Sequence, residues 1–110
     1  MTARIFEAYA SLAVESSIDQ LLATVPGGVE LRERVVTGWS GASTKYDEAT
    51  RAAYFLVCDG QTLACFTVSG VDPAEAGRIA AALQGNSDWT AANVVRAVEQ
   101  ALGGSAQRAQ

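Results

Sequence analysis

Between Ala52 and Val68 two apolar runs flank Asp59 and Gly60, and neither run has a polar face. Asp-Gly between hydrophobic runs is the strongest short-range hairpin signal, because Gly accepts the positive φ that a two-residue type I′ turn requires. Such a turn sets Cys58 against Gln61, Leu56 against Leu63 and Tyr54 against Cys65. One face then carries Tyr54, Leu56, Cys58, Leu63 and Cys65, and the other carries Ala53, Phe55, Val57, Ala64, Phe66 and Val68. The second is the more continuously apolar and offers two large aromatics, so it is expected to meet the main helical layer. The first is then the face left for another molecule, and both need a cover.

Upstream, Ile5, Phe6, Tyr9, Leu12 and Ala13 form a stripe at helical spacing, while Val14, Ile18, Leu21, Leu22 and Val25 form another about half a turn away. This predicts a helix over 3–24. It is either continuous with two apolar sides or broken near residue 16, where Ser17 and Gln20 match a capping box. Pro26, Gly27 and Gly28 end it. Val29, Leu31, Val35 and Trp39 alternate with Glu30, Arg32 and Arg34, which predicts a strand over 29–38 with one wet face, suited to a sheet edge. Residues 38–50 are rich in Gly, Ser and Thr and read as a surface loop carrying Lys45, Tyr46, Asp47 and Glu48.

Past the hairpin, Asp72, Pro73 and Glu75 announce a helix over 73–84, with Asp as N-cap, Pro at the first position and a carboxylate at the positive end of the dipole. Ala76, Ile79, Ala80 and Leu83 make its buried stripe. A last helix over 88–102 buries Ala91, Val94, Val95, Val98, Ala101 and Leu102 and stops at Gly103 and Gly104. Residues 103–110 are expected to be a disordered tail. The predicted fold class is a single α+β domain over 1–102 with a three-stranded antiparallel sheet (29–38, 50–58, 61–69).

The chain has 110 residues, enough for one domain with one core. Twelve acidic residues against eight basic give a net charge of −4, which opposes binding to nucleic acid. The element order superficially resembles that of double-stranded RNA-binding domains, but the basic residues such a fold would use are missing. Arg32 and Arg34 are the one close basic pair, and Glu30 and Glu33 interleave with them. The N-terminus lacks an apolar leader and no apolar run approaches the roughly 18 to 20 residues of a membrane span. A soluble cytoplasmic protein is expected.

Chemistry is defined mainly by exclusion. Histidine is absent, which removes Ser-His-Asp and Cys-His catalysis and most zinc sites. Gly38-Trp39-Ser40-Gly41 fails as a nucleophile elbow at Ala42, and Gly41 to Lys45 lacks the spacing of a phosphate loop. Cys58 and Cys65, four residues out of register in the predicted hairpin and about 13 Å apart at about 3.3 Å per residue, are expected to be free, buried thiols.

These exclusions leave surfaces as the positive evidence. The expected function is that of a small non-enzymatic regulator, without cofactor, catalytic residue or metal, which binds another protein and blocks or modulates it. Examples are an anti-activator, an immunity protein or an anti-defence protein. The predicted contact residues are Tyr54, Leu56, Leu63, Arg32, Arg34, Trp39 and Tyr46, and a homodimer is expected. The alternative is a small-molecule-binding or enzymatic domain in which Lys45, Tyr46, Asp47 and Ser40 of the 38–50 loop form a polar site.

Overall fold

A computed structural model describes residues 3–37, 40–59, 61–84, 91–104 and 106–108. The chain runs β1 (Ala3–Ser11), α1 (Glu15–Ala23), a 3₁₀ turn (Gly28–Leu31), α2 (Arg32–Val36), β2 (Ser40–Asp47), β3 (Ala52–Asp59), β4 (Thr62–Ser69), α3 (Pro73–Gln84), α4 (Ala91–Leu102) and β5 (Ala106–Arg108). The class is α+β. The sheet order is β2-β3-β4-β1-β5, antiparallel through its four long strands, with β5 added parallel to β1.

The hairpin and the two C-terminal helices stand where the sequence places them, although residues 85–90, with the predicted start of the last helix, lie outside the described residues. The hairpin register is shifted: Cys58 pairs with Leu63 and Leu56 with Cys65. A shift of two residues leaves every side chain on its expected face, because the side-chain period of a strand is two. It also brings the two cysteines to two residues out of register, not four. Both are free and buried.

Three expected elements are different. Residues 3–11 form a strand, not the first half of a helix. Its register with β4 runs unbroken from Arg4 against Ser69 to Ser11 against Thr62. Apolar residues on both of its faces hid the period of two. The break falls at 12–14, and α1 starts at Glu15 with Val14 as its N-cap residue and no side-chain cap. Ser17 does not cap a helix; its hydroxyl donates back to the carbonyl of Val14 at 2.8 Å.

The strand expected over 29–38 is not formed by its described residues, 29–37. Leu31 and Val35 are buried and Val29 is 77% exposed, the pattern of a short helix. Positions 31 and 35 satisfy alternation and an i, i+4 repeat equally well, so the sequence was ambiguous there. Strand β2 comes instead from the segment read as a loop. It is an edge strand, polar because solvent reaches it, and the Tyr46 hydroxyl donates to the carbonyl of Val71 at 2.7 Å. The tail is not wholly irregular: Ala106 to Arg108 pair with Ala3 to Ile5.

Helices cover both sheet faces. Over one lie α3 and α4, where Ile79, Leu83, Val94 and Val98 meet Phe55, Phe66, Val68 and Ile5. Helix α3 opens with a reciprocal capping box: the Glu75 amide donates to Asp72 Oδ1 at 2.7 Å and the Asp72 amide donates to Glu75 Oε1 at 3.0 Å. Over the other face lie α1, the 3₁₀ turn and α2, whose Ile18, Leu21, Leu22, Leu31 and Val35 enclose Leu56, Leu63, Cys58, Cys65 and Ala10. Close approach holds that layer together. A Cβ on Gly28 would collide with the carbonyl oxygen of Leu22.

Candidate interaction surface

Cross-strand pairing arranges the second face in rows. Reading from β1 to β2, they are Ala10, Leu63, Cys58 and Gly41; then Ala8, Cys65, Leu56 and Ser43; then Phe6, Thr67, Tyr54 and Lys45; and last Arg4, Ser69, Ala52 and Asp47. The layer of α1 and α2 sits over the first two rows, where Leu63, Cys58, Cys65 and Leu56 are all buried. Burial over the last two rows is uneven: Tyr54 packs against the same cluster and Ala52 is buried. Phe6 is 41% exposed, Arg4 is exposed, and Lys45, Tyr54 and Thr67 are half-buried. One half of the face is enclosed by the helical layer and the other is more accessible, most of all at Phe6 and Arg4.

The more accessible half has a definite chemistry. Phe6 and Tyr54 supply two aromatic surfaces in one row, with the Arg4 guanidinium 5.6 Å from the centroid of the Phe6 ring. Such a cation over an exposed ring contributes about 0.5–1 kcal/mol and holds both side chains against the sheet. Lys45 closes the row on the β2 side. The Asp47 carboxylate is occupied within the β2–β3 turn, accepting the Ala49 amide at 3.1 Å and the Thr50 hydroxyl at 3.0 Å. The patch thus carries the aromatic Phe6 and Tyr54 together with the cations Arg4 and Lys45 and the Asp47 carboxylate.

The structure separates the residues expected to form the contact. Leu56 and Leu63 have no exposed surface, because the chain's own first helices occupy the place proposed for a partner. The step that failed was taking 29–38 as a wet strand beside the hairpin. Tyr54 lies on the more accessible half, at the foot of the helical layer. Tyr46 faces the opposite side of the sheet and packs against the α3 and α4 core. Arg32 ties α2 to α1 through Asp19 and Glu15, and the hydrogen bond and charge of Asp19 raise its pKa. Arg34 is exposed on α2. Trp39 lies outside the described residues.

Phe6 and Arg4 were not foreseen. The signal was present as the i, i+2 series Arg4, Phe6, Ala8, Ala10, obscured by the helical spacing of Ile5, Phe6 and Tyr9.

The polar site imagined for residues 38–50 does not assemble in β2. Lys45 and Asp47 alternate with Tyr46 and so point to opposite sides of the sheet, and Ser40 begins the strand about 20 Å from Tyr46 at about 3.3 Å per residue. Among the described residues no group of three or more Cys, Asp or Glu is placed to hold a metal ion, and no helix is long and apolar enough to cross a membrane. Comparison of the chain with protein families, curated proteins and solved structures gives no significant match.

Proposed function

We propose that this chain is a non-enzymatic binding protein that engages another protein through the more accessible half of its second sheet face and thereby blocks or modulates it. One observation carries the reading: Phe6, 41% exposed, and Tyr54, half-buried at the foot of the helical layer, share a row flanked by Arg4 and Lys45. Aromatic residues and arginine are the types that most often anchor protein contacts. Small size and the absence of histidine agree with action by binding.

The test is affinity capture from the native host with Phe6→Glu beside the wild type. Phe6 is exposed, so the variant should keep the wild-type circular dichroism spectrum while losing the captured protein. A partner retained equally by both forms, or no partner for either, overturns this reading.

A further inference from the structure

We propose that the outer edge of β2 takes an extended segment of the partner protein as an added strand of the sheet, with an acidic residue of that segment set beside Lys45. This contact rests on the binding function proposed above and adds the backbone through which the partner is held.

Backbone geometry provides the site. Strand β2 is the end strand of the sheet, and it pairs with β3 in one unbroken register from Ser40 against Asp59 to Asp47 against Ala52. Along an edge strand every other residue turns its amide and carbonyl away from its single neighbour. Among the described residues Ser40–Asp47 make no backbone hydrogen bond beyond that ladder. The strand has eight residues without proline or bulge, and Gly41 to Thr44 are all small. Ala42 and Thr44 are exposed, while Gly41, Ser43, Lys45, Tyr46 and Asp47 are half-buried. The opposite edge is different, since β5 pairs with β1 over Ala3–Ile5. A row of such outward backbone groups is recognised by another extended strand.

Charge selects which strand. Lys45 lies across the ladder from Tyr54 on the second face, and among the described residues it has no ion pair. A lysine on an edge resists apolar or cationic neighbours, so the residue that suits the place beside it is a carboxylate. Two positions on, the Asp47 carboxylate is held by Ala49 and Thr50, and the neighbour that suits it is neutral or basic. A second copy does not supply this pattern. Two β2 strands that continue one sheet about a two-fold axis pair residues of the same face. In any register that pairs more than half of the strand, Lys45 then meets Ser43, Gly41, itself or no strand residue, and never a carboxylate.

Hydrogen exchange read amide by amide by NMR tests this, on the full labelled chain alone and in complex with the protein captured from the native host. In the free chain the outward amides of residues 40–47 should exchange fast, and in the complex they should slow by about tenfold or more. Lys45→Glu, folded as judged by circular dichroism, should lose most of that protection. Unchanged exchange along β2 in a complex that Phe6→Glu abolishes overturns the edge contact alone and leaves the binding function standing. Equal protection in the Lys45→Glu variant overturns the acidic segment. Protection that arises in the chain alone as its concentration rises gives the edge to a second copy and overturns the proposal. Failure to capture any protein overturns both the edge contact and the binding function.

Discussion

Cys65 shows how one side chain registers its surroundings. It lies beneath the α1 and α2 layer, where burial pushes its thiol pKa up, with a smaller opposing effect from the Thr67 hydroxyl 3.9 Å away. A raised folded-state pKa means the native state holds the proton more tightly than the unfolded chain. The corresponding stability is present below the ordinary thiol pKa and is lost as pH rises through the folded value. Melting temperatures should therefore fall as pH rises past the ordinary thiol range, and Cys65→Ala, though less stable throughout, should show a shallower decline. Gly28 is constrained by space in the same layer. Gly28→Ala should cost about 1–3 kcal/mol in urea denaturation, because the obstructing atom is the backbone carbonyl of Leu22, which cannot rotate away. Neither constraint is visible in the sequence, where Gly28 reads only as one of three helix-ending residues, with Pro26 and Gly27.

At the level of elements, legibility followed whether local signals and tertiary environment agreed. Helix α3 was readable to the residue because Asp72, Pro73 and Glu75 specify its start by local chemistry alone. Asp72→Ala should cost about 1 kcal/mol, while Gly77→Ala, exposed in the same helix with nothing near its Cβ position, should add up to about 1 kcal/mol. Paired melts of the two variants should move in opposite directions. Strand β1 is the opposite case. Its alanines and its i, i+3, i+4 apolar spacing favour a helix, and only the ladder with β4 makes it a strand. For β2, polar composition obscured a strand that backbone pairing with β3 supports.

For the whole molecule, the decisive fact is that the chain covers both faces of its own hairpin, one from each end of the sequence. Leu56 belongs to the core, so Leu56→Ala should lose about 2–5 kcal/mol and Leu56→Glu should unfold the protein, in contrast to the folded Phe6→Glu variant. Comparing thermal melts of the two glutamate variants separates core from surface. Of the candidate site, Tyr54 was legible as a hairpin residue and keeps its place. Phe6, Arg4 and Lys45 joined it only through the strand order, because residues 6, 67, 54 and 45 share a row solely by cross-strand pairing.

By itself the sequence determined the hairpin, the division of its side chains into two apolar faces, the two C-terminal helices and the free state of the thiols. Each of these depends on interactions within a few residues or on a period of two that survives a change of register. Tertiary structure alone decided which segment became the neighbouring strand, and therefore which half of the second face stayed more accessible. Residues 3–11, 29–38 and 40–47 each fit more than one local conformation, and only long-range backbone pairing and burial could choose between them.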